Sequence, residues 1–386
     1  MTVKPSAVPG TAQRDAALAK LAQRFPLVPR PRPACRPFDE RIARVCALAR
    51  QASAGGTDSL VRAAEAHNLA ALILSDCGLP AAARDLCRRQ ARCYAGGPPH
   101  ELPAAKLALQ PLINIGRLLI RAADPSAHQH FMALFDSAAH RSQVMIDGIP
   151  VNFADLTVSA DHKELVRWLW TILLADGTRA LTSTGRWAEA SRHIATHGGV
   201  GDRLLDGRQV IVLAHGIAHH TEAARNALRD SNVLTPWERA AASCLHVLLS
   251  ALTDEPADDE ISAMAEAYRQ LNLAGEDACF RIRLGLCVLV LSTGTCHERP
   301  VARQVINAAL DSDDAYRAHA IASHRACLQH ATPAEASVLA AAVRAAGLSQ
   351  GTLPPDASAR LMSATEASEQ IILREWRQSL PNWKPS

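Results

Sequence analysis

The sequence predicts an all-α protein built as a solenoid of helix–turn–helix repeats, and three observations predict it. From Phe38 onward, apolar residues recur at three- and four-residue spacing along most of the chain. Alanine is abundant while aromatic residues make up only 4% of the sequence. That composition suits helices whose axes approach closely, because Ala is the strongest helix former and adds little bulk. Finally, pairs of such helices are joined at glycine-bearing turns that stand at matching distances from small and aliphatic residues.

Taken in order, residues 11–24 read as a short amphipathic helix. The stretch 25–37, FPLVPRPRPACRP, holds five prolines, which excludes helix and predicts a polyproline-type tether with few contacts to the rest. Residues 1–37 are therefore expected to be an N-terminal helix and linker. N-terminal repeats are expected over 38–142, with helices at 38–53, 58–76, 80–94, 102–122 and 125–142. Gly55-Gly56 and Gly96-Gly97-Pro98-Pro99 mark the breaks. The runs VMID and IPVNF flank one glycine, so a small hairpin or loop is expected at about 143–157, within an insert spanning 143–160.

C-terminal repeats fill 161–386. Helices are expected at 161–184, 186–197, 206–217, 221–230, 235–252, 257–272, 276–292, 299–310, 313–330, 333–346 and 357–379. Two of them open on apparent capping boxes, Asp206-Gly-Arg-Gln209 and Thr235-Pro-Trp-Glu238. Pro236 stands at the first helical turn, where its missing N–H costs nothing.

Three segments repeat one pattern. Gly78 and Gly185 each follow a leucine by four residues, Leu74 and Leu181. Each precedes a small residue by five, Ala83 and Ala190, and an aliphatic-like residue by nine, Cys87 and Ile194. In a third copy His219 takes the turn position, with Ala224 and Leu228 after it and Pro236 opening the next helix. The spacing resembles the tetratricopeptide repeat family, whose unit is a helix–turn–helix of 34 residues. The likeness is clearest at about 165–200 and weakest at 107–135. The Ala- and Arg-rich composition also resembles that of high-GC bacterial proteins.

The resemblance implies a concave groove lined by the first helix of each unit, which binds a peptide or protein segment and carries no chemistry by default. In that register the ligand-binding positions are Asn68, Arg117, Arg179 and Gln209, with Leu72 and Leu213 beside them. A row of amides and guanidinium groups suits peptide backbone or a carboxylate.

Several function classes lose support. A formal charge of +3 argues against a dedicated nucleic-acid binder, which usually carries a basic domain. The first twenty residues lack the apolar core of a signal peptide. The most apolar run, Leu284 to Leu291, is too short to span a bilayer. A cytoplasmic protein without membrane attachment is expected. The ten cysteines form no CxxC pair, and Cys77, Cys87, Cys244 and Cys287 sit at apolar helical positions, as small core residues would. No phosphate-binding loop, HExxH, GxSxG or EF-hand pattern occurs. No catalytic residue, metal ligand or cofactor is assigned.

His215, His219 and Glu222 could form a divalent-metal set, but the turn expected at His219 would splay them. The sequence thus reads as a peptide- or protein-binding adaptor or regulatory scaffold. The rival reading is an enzyme, or an enzyme accessory, of peptide or secondary-metabolite processing, with His215, His219 and Arg179 near its site.

Overall fold

In the structure, a computed structural model, residues 11–30, 32–253, 258–271 and 277–378 are described. The first helices are α1 (Thr11–Ala22), α2 (Phe38–Ser53), α3 (Ser59–Asp76), α4 (Pro80–Cys93), α5 (Leu102–Arg121) and α6 (Ala127–Ala139). A hairpin of β1 (Gln143–Ile146) and β2 (Ile149–Asn152) follows, then α7 (His162–Ile172), a π-helical turn at Leu173–Gly177, α8 (Thr178–Thr182) and α9 (Trp187–Thr196). Next come α10 (Asp206–Ile217), α11 (Thr221–Arg229), α12 (Pro236–Leu252), α13 (Asp258–Arg269) and α14 (Ala278–Leu291). The chain closes with α15 (Glu298–Leu310), α16 (Ala315–Ala322), α17 (Arg325–Leu328), α18 (Pro333–Ala345) and α19 (Pro355–Gln378). The fold is predominantly α-helical, with one small antiparallel sheet that pairs Val144 with Val151 and Ile146 with Ile149. The hairpin lies where the two short apolar runs predict it.

The chain divides into two compact units, each discontinuous in sequence. One comprises Cys35–Ala180 with Ala341–Ser386, the other Met1–Ala34 with Leu181–Ala340. They are called here the 35–180 unit and the 181–340 unit.

In the 35–180 unit, α2, α3, α4 and α5 pack in succession, and α19 lies against α2, α3 and α4. Its core includes Ile42, Val45, Ile73, Leu109, Leu112, Ile113, Phe131 and Phe153, all essentially buried. Gly116 lets α5 approach α6 closely, since a Cβ there would collide with Phe131. The hairpin turn is Asp147-Gly148, both in the left-handed region (φ 51° and 77°). The Asp147 carboxylate accepts four hydrogen bonds, from Arg84 and Arg88 on α4 (2.5–2.9 Å). Burial alone would raise its pKa, but the two guanidinium groups hold it below the usual carboxylate range.

In the 181–340 unit, helices pair with their chain neighbours: α9 with α10, α10 with α11, α12 with α13, α14 with α15. The apolar run expected to be too short for a bilayer is in α14, where Leu284, Leu286, Cys287, Val288 and Leu289 are buried. The box at Thr235 and Glu238 forms, and the Glu238 carboxylate accepts from the Leu234 and Thr235 N–H groups and from Arg203.

The repeated turn recurs with one geometry. Gly78, Gly185 and His219 all have positive φ (82°, 75° and 59°). At each, the next N–H donates to the carbonyl four residues before the turn: Leu79 to Leu74, Arg186 to Leu181, His220 to His215. The turn N–H itself reaches back three residues, to Ser75, Thr182 and Gly216. This is the Schellman closure of a helix C-terminus. The small residues five positions on, Ala83, Ala190 and Ala224, are fully buried. The weak copy has a cause. Its left-handed residue is Ala123 (φ 51°), and its buried small and bulky positions are Ala127 and Phe131, one residue earlier than in the other copies.

Four expectations are corrected. The helix expected over 161–184 is interrupted by the π-turn. The helix expected over 313–330 is broken at Ser323, and His324 caps α17 by accepting from the Cys327 N–H. The box expected at Asp206–Gln209 does not form, because the Gln209 amide is engaged elsewhere. The Pro-rich stretch after α1 is not a loose tether either: Phe25, Pro26 and Leu27 are buried, as are Leu18, Leu21 and Ala22 on α1.

Candidate functional site

The α5 sequence LPAAKLALQPLINIGRLLIR is apolar except for one stripe. Lys106, Gln110, Asn114, Arg117 and Arg121 are spaced by four, four, three and four residues, so they share a helix face while Leu109, Leu112, Ile113 and Ile115 enter the core. Facing this stripe is a shorter one on α3, Asn68, Leu72 and Ser75, again at helical spacing.

The two stripes are joined. Gln110 Nε2 donates to Asn114 Oδ1 (3.0 Å), and Asn114 Nδ2 donates to Asn68 Oδ1 (3.1 Å). One turn on, Arg117 Nε donates to Asp176 Oδ2 (2.9 Å). Asp176 belongs to the π-turn, an arrangement that recurs at functional positions of helices. At the end of α5, Arg121 Nη1 donates to Ser75 Oγ (2.6 Å) and Asp76 Oδ1 (3.2 Å). Asp76 is buried and also accepts from Arg41 Nη2 at 2.5 Å. At the other end, the Lys106 ammonium stands 5.6 Å from the centre of the Trp168 ring.

Chemically this face offers amides that can both donate and accept, and two guanidinium groups anchored at one edge by carboxylates. Arg117 and Arg121 each keep 46% of their side chain exposed. Leu72, between Asn68 and Ser75, is an exposed apolar residue. Such a set matches the alternating donors and acceptors of an extended peptide, or a carboxylate.

The expected site residues fall as follows. Asn68 and Arg117 lie on this face, one linked to Asn114 and the other to Asp176. Arg179 is exposed on α8 in the same unit, three residues beyond Asp176. Gln209 and Leu213 belong to the 181–340 unit and are fully buried. Gln209 is committed within that unit. Its Oε1 accepts the Leu27 N–H (2.7 Å), and its Nε2 donates to the Leu27 carbonyl (2.9 Å) and to the Leu204 carbonyl (3.1 Å). The repeat register does not single out Gln110, Asn114, Arg121 or Asp176. Polar residues at every third or fourth position of an otherwise apolar helix are the signal that finds the first three.

His215 closes α10 and His219 occupies the left-handed turn, with α11 starting at Thr221. Among the described residues, no group of three or more His, Cys, Asp and Glu side chains is arranged to hold a metal ion. None of the described helices is long and apolar enough to cross a membrane. No protein-family model, curated protein or solved structure matches the chain.

Proposed function

We propose that the protein is a peptide- or protein-binding scaffold of tetratricopeptide-repeat-like type, acting as an adaptor or regulator, with the α3–α5–Asp176 face as its binding surface. One observation carries the reading. The polar stripe of α5 lies along the polar stripe of α3, with its amides and guanidinium groups already oriented by Asn68, Asp176, Ser75 and Asp76. Side chains held in place before binding lose less rotamer freedom when a ligand arrives. The Asn68–Asn114–Gln110 chain supports recognition of backbone amides, and Arg117 and Arg121 support recognition of a carboxylate.

The test is a random-peptide selection on the full chain, followed by titration of an enriched peptide. Asn114→Ala combined with Arg117→Ala should weaken that peptide about ten-fold or more, as loss of central contacts does. Helical circular dichroism should be retained. A selection that enriches nothing, or a peptide whose affinity these substitutions leave unchanged, overturns the reading.

A further inference from the structure

The segment after α1 is seated on the 181–340 unit in the manner of a bound peptide. Residues 25–30 form neither helix nor strand and carry Pro26 and Pro29. Phe25, Pro26 and Leu27 are buried while Arg30 is exposed. Among the described residues, no backbone–backbone hydrogen bond joins residues 26–30 to the helices around them. Side chains hold the segment instead. Gln209 on α10 takes both the N–H and the carbonyl of Leu27, a two-point grip on the backbone of one residue by a fully buried amide. One turn earlier on α10, Asp206 pairs with Arg30 (2.8 Å). Arg283 on α14 donates to the Arg24 carbonyl (3.2 Å), and the Arg32 guanidinium lies 3.5 Å from the centre of the Tyr316 ring on α16.

We propose that this face of α10, α14 and α16 is a recognition site for a non-helical, proline-containing segment of a partner protein, and that residues 24–30 with Arg32 are its resident occupant. The occupant defines the chemistry accepted. An apolar residue, a proline and a second apolar residue enter the buried part, and an arginine stands three positions after the clamped one. Proline fixes its own φ, so less chain entropy is lost on seating. A backbone clamp with one charged anchor reads shape and spacing rather than a long sequence, as grooves for proline-rich segments do. The site lies in the other unit from the α3–α5 face and does not depend on that reading.

The resident segment is tethered, at an effective concentration on the order of millimolar, so a partner must compete with it. The experiment uses the full chain and a labelled peptide of residues 21–34, LAQRFPLVPRPRPA, followed by fluorescence anisotropy. Wild type should take up the peptide weakly. Arg30→Glu, which sets a carboxylate against Asp206 at the surface, should strengthen uptake several-fold. Leu27→Ala with Arg30→Glu should strengthen it at least ten-fold. Adding Gln209→Ala to that double variant should remove the gain, and a scrambled peptide should not bind. Three outcomes overturn the proposal. The double variant keeps its helical signal yet takes up no peptide. It loses its helical signal, which makes the segment a core element. Or Arg30→Glu turns the chain into a dimer by light scattering, which assigns the face to the segment of a second copy.

Discussion

The 35–180 unit is closed by a helix and the 181–340 unit by a helix followed by a non-helical stretch, and the two closures use different physics. In the first, α19 satisfies its own backbone and buries Ala357, Leu361, Ile371, Ile372 and Trp376. Polar contacts are added at few points: Trp376 Nε1 to the Gly96 carbonyl (2.7 Å), and Glu369 to His67 (2.9 Å) and Arg89 (2.9 Å). In the second, α1 buries Leu18, Leu21 and Ala22, but residues 25–30 have no helix to satisfy their backbone. The unit meets the Leu27 N–H and carbonyl from a side chain, and it places a glutamine at a fully buried position to do so. Burying an amide is tolerated only because all of its roles are filled. A helix can close a unit by apolar contact alone; a non-helical closure needs outside partners for the backbone groups it buries.

The largest expected effect tests the helical closure. Trp376 is buried, edge-on to Tyr94 (5.0 Å between centroids) and stacked on His100 (3.4 Å). Trp376→Ala should cost about 3–5 kcal/mol, the usual cost of emptying a large aromatic site. Urea unfolding followed by far-UV circular dichroism measures it. A loss below about 1 kcal/mol would show that α19 is not what closes this unit.

Next in size is the small position after the Gly185 turn. Ala190 on α9 is fully buried. Ala190→Trp should cost about 1–3 kcal/mol or more through overpacking. If its thermal midpoint matches wild type, the small position is not a packing constraint.

Gln209→Ala probes the non-helical closure. It leaves the Leu27 N–H and carbonyl and the Leu204 carbonyl without the amide that meets them. The expected cost is about 1–3 kcal/mol, as for other buried polar groups left unmet. Hydrogen exchange should rise at Leu27 and its neighbours while residues of α2 and α3 keep their protection. Unchanged exchange at Leu27 would mean that apolar burial alone retains the segment.

These closures also mark where sequence reasoning stops. The turn register is readable because it is local: a left-handed residue, a small residue five on and an aliphatic one nine on lie within ten positions. It fades at α5–α6, where Ala123 shifts the buried positions by one. Gln209 is picked out as a binding residue by helical phase, but its occupant lies 182 residues away in the sequence. His67 and Glu369 are separated by 302 residues. No periodicity links such pairs. The α5 stripe is different: it is legible in the sequence, but the repeat register marks only Arg117 on that helix and passes over the rest.

Acid should weaken both closures. Burial pushes His100 beneath Trp376 down to about 4. Burial, together with repulsion from Arg24 and Lys20 of the N-terminal segment, pushes His324 to about 4 as well. Each folded pKa lies below the unfolded value near 6.5, so the unfolded chain binds more protons between the two. Stability is therefore full above about pH 6.5 and falls progressively as the pH drops to about 4. Thermal midpoints should follow that slope, and His100→Phe should flatten part of it. A midpoint independent of pH across this window would show that neither ring is kept neutral by its surroundings.

The smallest expected change in stability belongs to Asn68, and its smallness is the point. Asn68 and Gln209 are both amides that the repeat register marks as ligand-binding, yet one is half-buried on an open face and the other is fully buried. Asn68→Ala removes an acceptor from Asn114, which water can replace at a half-exposed position, and Asn114 keeps its bond from Gln110. The cost should stay within about 0.5 kcal/mol. A peptide that uses this face should nevertheless lose affinity, because the amide then lacks a fixed orientation when the ligand arrives. A thermal melt beside an affinity titration separates the two effects. Should Asn68→Ala melt as early as Gln209→Ala, the α3–α5 amides are an internal brace and the face is not held ready for a ligand.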